Sequence, residues 1–379
     1  MEQLAMNAAP QQVAADRLAL IEQARHAVLQ DGASTDTRVA PWIAQSWQRC
    51  LASGQTPSQE VAFDVVSAQA MRHTSEANRP LVEAARPVLE RLAHAIANTR
   101  YFAILTDAHG TVVDTHGVID RNDRRASMIA RVGVDLSERS VGTTAISAAL
   151  SERMPVWLHR GEHFFQDTSI YSCAGAPLMG PDGQCAGMLD LTGIEVPERP
   201  ELKHLVTQSA RSIENALVLG QPHAVLLRLN WPGRDMGGES DGLLALDEDG
   251  FVTGSNPVAR QMLPQPVLMQ AGRLHCSDLF AMPWELLFDA ARRAQVGTEA
   301  APQDVPLWSG LRLQALALPR DDKHGMHGPT RKAVPLRDAE HAWIRKAVDD
   351  ARGNVAEAAR VLGISRATVY RKLGQKPRS

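Results

Sequence analysis

The dipeptide Gly-Lys does not occur in these 379 residues. No Gly-x-x-x-x-Gly-Lys-[Ser/Thr] loop can therefore cradle a nucleotide phosphate, and ATP hydrolysis is not expected. Cysteine is scarce: Cys50, Cys173, Cys185 and Cys276 lie far apart, with no Cys-x-x-Cys, which argues against a disulfide framework and for reduced thiols. No apolar run approaches the ~20 residues of a membrane span. The start, with Glu2, Gln3 and Asn7, lacks the basic-then-apolar order of a secretory signal. Neither charge dominates, with 40 Lys/Arg against 43 Asp/Glu. A cytoplasmic protein with no membrane partner is the expectation.

What is present is ordinary globular composition, 44% hydrophobic and 22% charged, over a length that allows two to four domains, each with its own core. The charge is unevenly placed. From Pro335 onward there are ten Lys/Arg against five Asp/Glu, leaving 30 against 38 for the rest, so a basic tip sits on an acidic body.

Within that tip, Gly353 to Leu373 reads as two short helices about a tight turn. Asn354 can cap the first, with Glu357 three residues on. Ala358, Ala359 and Leu362 form a small apolar stripe. Gly363 ends the helix and Ser365 caps the next, which buries Val369 and Leu373. Upstream, Leu336, Ala339, Trp343, Ile344, Ala347 and Val348 recur at helical spacing and supply a third helix. A solvated helical hairpin is the plain alternative. The run Gly-Asn…Ala-Ala…Leu-Gly-Ile-Ser-Arg-Ala-Thr-Val-Tyr-Arg-Lys-Leu resembles the Fis-type DNA-binding domain that ends bacterial enhancer-binding regulators. The resemblance implies double-stranded DNA as partner, a homodimer on paired half-sites, and contacts from Asn354, Ser365, Arg366, Ala367, Thr368, Tyr370, Arg371, Lys372 and Lys376.

From the beginning, residues 1–79 read as an N-terminal helical region. Residues 13–31 carry Leu18, Ile21, Ala24, Ala27 and Val28 on one face, and Ile43 to Leu51 forms a second helix that packs Trp47 inward. Residues 80–220 open on a helix with Leu81, Ala85, Val88, Leu92 and Ala95 at heptad-like spacing, suited to another subunit or to the domain's own sheet. Pro87 is expected to bend it. The order helix, two strands, helix, three strands, helix is an α+β sensor pattern. The motifs Gly142-Thr143-Thr144-Ala145-Ile146, Gly161-Glu162-His163-Phe164-Phe165 and Ser172 to Gly193 resemble the GAF domain of acetoin-type activators. Thr144 departs from the Asn usual there, which leaves room for a different ligand. That resemblance implies a small polar effector, such as a ketol or diol. The candidate lining is Ile104, Trp157, Phe164, Phe165, Cys173, Ala174, Ala176 and Met188, residues that serve equally well as core.

Residues 221–318 follow as a PAS-like α+β domain. Its entry is strand, acidic Gly turn and strand over Leu243 to Gly254, then a helix after Asn256, with a further helix at Asp278 to Ala294 and strands from Pro306 to Leu318. Residues 319–334 read as a flexible linker to the helix-turn-helix domain, residues 335–379. The relatives implied by these resemblances carry an ATPase and a loop contacting an enhancer-dependent sigma factor; both motifs are absent here. RNA polymerase or full-length activators are the further partners implied. No metal or cofactor is expected: Gly161 interrupts His159-x-x-x-His163 and no third ligand is evident. Cys173 and Cys185 lie on strands flanking a turn, which keeps open a thiol redox enzyme of the methionine sulfoxide reductase kind. Burial as small hydrophobes is the commoner fate of free cysteines.

Overall fold

The computed structural model describes residues 16–63, 66–120, 122–263, 273–295 and 301–320, together with Asn354, Val355 and Ala359. The chain divides into two units after Arg320, and the first holds two antiparallel five-stranded sheets, giving a mixed α+β fold.

The first unit begins with α1 (residues 16–25), which widens into a π-turn at His26–Gln30. Ile21, Ala24 and Val28 are buried, whereas Leu18 lies off the stripe and is exposed. Next, α2 (Pro41–Ala52) starts on a proline, which loses nothing by lacking an N–H at that position. It buries Ile43, Ala44, Trp47 and Cys50. After α3 (Ala68–Ala77), α4 (Arg79–Ile96) presents Leu81, Ala85, Val88, Leu89, Leu92 and Ile96 at three- and four-residue spacing, and Pro87 is accommodated within it.

Strand β1 (Tyr101–Asp107) turns into β2 (Val112–Gly117) through Asp107, whose carboxylate accepts from the N–H groups of His109 and Thr111. Then come α5 (Arg124–Ile129), α6 (Glu138–Val141), α7 (Ala145–Glu152), β3 (Val156–His159), β4 (Tyr171–Met179), β5 (Cys185–Ile194) and α8 (Leu202–Leu219). The sheet order is β2-β1-β5-β4-β3. The heptad-like face of α4 meets its own sheet and α8. The opposite face of the sheet is covered by α5, α6 and α7.

The second sheet corrects the expected entry at Leu243. It begins with β6 (Val225–Asn230), followed by β7 (Gly242–Leu246), β8 (Val252–Ser255), α9 (Pro257–Met262), α10 (Glu285–Gln295), β9 (Gln303–Pro306) and β10 (Arg312–Pro319). The order is β8-β7-β6-β10-β9, so β6 is the central strand. Its run Val-Leu-Leu-Arg-Leu-Asn shows little alternation because both faces are covered. The helix expected from Asp278 starts only at Glu285, since Pro283 disfavours helical backbone at the residue before it. Pro319, placed at the head of the linker by composition, still pairs with Val225. The turn between β7 and β8 repeats the earlier device: Asp247 accepts from the N–H groups of Asp249 and Phe251.

Helix α8 joins the two sheets. Leu202, Val206, Ala210 and Ile213 pack on the first, while Val218 packs with Leu226, Leu243 and Ala245 of the second. The N-terminal helices are equally integral. Arg25, 8% exposed, donates to the carbonyls of Gly161 (2.7 Å) and Phe164 (3.0 Å), and also to that of His163. Trp47 Nε1 donates to the Glu162 carbonyl at 2.9 Å. None of the described helices is long and apolar enough to cross a membrane.

Candidate functional site

A cavity of about 30 Å³ lies against the face of the first sheet that carries α7. Strand alternation sets its floor. Ile104 of β1, Tyr171 and Cys173 of β4, and Asp190 and Thr192 of β5 all project to this side. Their neighbours Ala103, Ala174, Leu189 and Leu191 project to the α4 and α8 side. Ile129, Leu136, Val141, Ala145 and Ile146 form apolar walls, and Phe63, His163 and Thr168 complete the lining.

Thr144, also in the lining, caps α7. Its Oγ1 accepts from Ser147 N (3.2 Å) while Ser147 Oγ accepts from Thr144 N (2.9 Å), a reciprocal pair that fixes the helix start at the cavity edge. Gly142 precedes it at φ 63°, where a Cβ would stand 3.0 Å from the Phe165 ring. Glycine is thus required both by its backbone and by the close approach of the Phe164-Phe165 segment.

Two polar groups in this apolar setting stand out. Asp190 is fully buried; one carboxylate oxygen accepts from the Thr192 hydroxyl, and Oδ1 has no partner among the described residues. Burial pushes the Asp190 carboxyl up to about 7, against the opposing hydrogen bond from Thr192. His163 is also fully buried. Its Nδ1 faces the Arg160 carbonyl at 2.9 Å, which assigns the ring hydrogen to Nδ1. Nε2 is left as an acceptor without a partner among the described residues. Burial lowers the His163 imidazole to about 4, so it is neutral at pH 7. An unsatisfied buried polar atom costs about 1–3 kcal/mol. Both residues border the cavity.

The wall containing His163 is held from outside by the N-terminal helices. Besides the Arg25 and Trp47 bonds, Ser46 Oγ and Thr143 Oγ1 are 2.7 Å apart, and Gln166 N donates to the Pro57 carbonyl at 2.9 Å. Glu162, beside His163, accepts from Arg17 at 3.0 Å and from the His159 backbone at 2.7 Å; burial nevertheless raises its carboxyl to about 7.

Of the residues expected from sequence to line a pocket, Ile104 and Cys173 border this cavity. Met188 shares their face, packed against Gly175. Trp157, Ala174 and Ala176 pack on the opposite side, with Trp157 Nε1 donating to Glu198 at 3.2 Å. Phe164 and Phe165 join the N-terminal core around Trp47. Asp190, Thr192, His163, Tyr171 and Thr168 were not anticipated. The available signal was Met188-x-Asp190-x-Thr192, a carboxylate and a hydroxyl at inward parity in an otherwise apolar strand.

Cys173 lies opposite Thr192 whereas Cys185 lies opposite Met179, six residues along β4 and so roughly 20 Å away. They do not form a redox pair. Complete burial holds the Cys173 thiol well above its usual range, which leaves it a poor nucleophile. His159 Nδ1 is 2.8 Å from Ser172 Oγ. Among the described residues no cluster of three or more His, Cys, Asp or Glu could hold a metal. In the tail, Asn354 is exposed and Ala359 buried. Ser365, Arg366, Ala367, Thr368, Tyr370, Arg371, Lys372 and Lys376 lie outside the described residues.

Residues 19–215 match the family described as "MimR, N-terminal domain". The chain belongs to this family. The MimR-type domain therefore takes in α1 to α8, the first sheet and the cavity. Residues 335–375 match "Bacterial regulatory protein, Fis family", and residues 216–334 lie between the two matches.

The acetoin catabolism regulatory protein of Cupriavidus necator is 29% identical over 257 residues, 65% of this chain and 37% of that protein. The acetoin dehydrogenase operon transcriptional activator AcoR of Bacillus subtilis is 26% identical over 191 residues, 50% of this chain and 31% of that protein. The propane 2-monooxygenase operon transcriptional activator MimR of Mycolicibacterium goodii is 30% identical, covering 52% and 33%. The chain thus spans about a third of the length of the curated relatives it matches. Among solved structures, the Escherichia coli DhaR(N)–DhaL complex overlaps 74% of this chain and 100% of that one, at 16% identity and a TM-score of 0.44.

Proposed function

We propose that this chain is a ligand-responsive, sequence-specific regulator of transcription that works without an ATPase of its own. In this reading the cavity beside α7 binds a small effector, and a Fis-type helix-turn-helix within residues 335–379 binds double-stranded DNA. A homodimer places two such helices on paired half-sites. The observation that carries the reading is the coexistence in one chain of the Fis-family match at 335–375 and a largely apolar cavity in the MimR-type domain.

The first sheet with its flanking helices serves as a GAF-type sensor, and the second as a PAS-like relay with β6 as an added central strand. Its place of action is the cytoplasm, where DNA, RNA polymerase and complete activators of the same kind are its partners. Lacking a phosphate loop, it acts by occupying DNA, recruiting polymerase, or competing with complete activators.

The test is a footprint of the purified chain on the DNA flanking its own gene, paired with an ATP-turnover assay. Protection of two half-sites about one helical turn or a multiple apart, with ATP turnover at background, is expected. Absence of any protected site, or turnover abolished by a point mutation in this chain, overturns the reading.

A further inference from the structure

We propose that Phe63 is the gate of this cavity: residues 57–63 lie across its mouth as a strap, and a molecule enters or leaves when the strap lifts the Phe63 ring away. This rests on reading the cavity as the effector site, while its test uses no effector.

Fourteen described residues line the cavity, and all but two of them are buried. The exceptions are Phe63 and Thr144, so a route to solvent between the lining residues passes one or the other. Thr144 is fixed. Its reciprocal bonds with Ser147 hold it at the start of α7, a helix packed on β4 and β5. Phe63 sits on a segment that forms neither helix nor strand. Among the described residues, two hydrogen bonds tie that segment to the rest of the domain. Gln166 N donates to the Pro57 carbonyl at 2.9 Å, and Val61 N donates to Asp167 Oδ2 at 3.1 Å. Gln166 and Asp167 are both exposed, so water competes for these bonds and each contributes little net stability. What else holds the strap is apolar contact: Val61 and Phe63, with exposed Ala62 between them, pack against the cluster that walls the cavity. The turn that receives the strap continues directly into Thr168, which borders the cavity. The closed volume, about 30 Å³, is far below the ~150 Å³ that accommodates benzene. Anything much larger than water therefore needs a wall to move. The floor is part of a five-stranded ladder, whereas the strap opens by breaking two exposed bonds.

Cys173 lines the cavity and serves as the reporter. Methyl methanethiosulfonate converts a thiolate to its methyl disulfide with release of methanesulfinate, and peptide mass spectrometry reads each cysteine of the full chain separately. Cys276, fully buried in the core of the second sheet, reports general loosening. Phe63→Ala should speed labelling of Cys173 by about tenfold or more and leave Cys276 unchanged, because labelling follows the population of the open form. Asp167→Ala, outside the cavity, should speed it about three- to tenfold, the effect of one exposed hydrogen bond on an opening equilibrium. Phe63→Trp, with a larger ring, should slow it. If Phe63→Ala does not fold, the other two variants decide. Cys173 rates indifferent to these variants, equal acceleration at Cys276, or acceleration by Thr144→Ala alone overturns the gate. A footprint on the same preparation separates the two readings. DNA protection with Cys173 rates that ignore the strap overturns this one alone, and rates that follow the strap without DNA protection overturn the regulator.

Discussion

Arg260, at the end of α9, donates from Nη2 to the carbonyl oxygen of Pro181 at 2.7 Å, reaching the tip of the hairpin that joins β4 to β5. The same nitrogen meets the Gly180 carbonyl at 2.7 Å, and Ser255 N also donates to the Pro181 carbonyl at 2.9 Å. The strands that floor the cavity are therefore fastened at their far end to the second sheet. Asn256 Nδ2 adds a bond to Asn215 Oδ1 of α8 at 2.8 Å.

Arg260→Ala is expected to loosen that fastening while leaving the cavity intact. Charged donors to buried carbonyls contribute about 1.5–3 kcal/mol each, less here because the guanidinium is partly exposed. Hydrogen exchange should show faster opening of β7 and β8 with little change in β1 and β5. Ligand added to the unaltered protein should slow exchange in both sheets, and in the variant only in the first. Equal slowing in both sheets of the variant would remove the hairpin as the link.

Stability should depend on pH through the buried carboxyls and imidazoles, with opposite signs. Asp190, Glu162 and Glu214 are all raised by burial to about 7. The folded protein keeps these protons from about pH 4 to 7 while the unfolded chain sheds them, so stability is lost as pH rises through that window. His159 and His163 are lowered by burial to about 4, so they cost stability as pH falls from about 6.5 to 4. Asp190→Asn removes one carboxyl and should gain on the unaltered protein as pH rises, by on the order of 4 kcal/mol between pH 4 and 8. Urea titrations at four pH values measure it; a constant difference would contradict the burial argument.

Trp47 supports the cavity wall by packing more than by its N–H. Fully buried against Phe164 and Phe165, it should cost about 3–5 kcal/mol when replaced by Ala. Trp47→Phe keeps most of the volume and forfeits the bond to the Glu162 carbonyl, costing about 1–2 kcal/mol. Chemical denaturation of both variants checks the ordering.

If residues 335–379 form the proposed helix-turn-helix with Ser365 as cap, Arg366 falls where recognition helices present side chains to base edges. Arg366→Ala should lose about 1–3 kcal/mol on the preferred site and relax the preference at one base position. Lys372→Ala should weaken preferred and scrambled duplexes alike and reduce the salt slope by about one unit. Binding to both duplexes across several salt concentrations separates the roles; identical behaviour of the two variants would dismiss the division.

Much of the first sheet was legible because its signals are local. Gly110 and the Pro181-Asp182-Gly183 turn punctuate apolar runs, and α4 repeats its stripe over 18 residues. The cavity was less so. Which strand residues face it depends on parity, and Trp157 and Ala174 fall on the wrong parity for a floor shared with Cys173. The wall residue His163 is placed by partners more than a hundred positions away in sequence, which no local pattern reveals. β6 went unread because a central strand carries no alternation. Asp190 was hidden by its resemblance to a motif position, although its charge in an apolar strand was visible.

The bonds of Arg25 to the Gly161, His163 and Phe164 carbonyls span 136 to 139 residues of chain. At about 5–20 residues per second, a ribosome needs roughly 7 to 28 seconds to make that interval. Through it α1, and then α2, are made while the loop that receives Arg25 and Trp47 does not yet exist. Their apolar faces must wait in the open, which leaves α1 and α2 exposed to chaperones and proteases during synthesis.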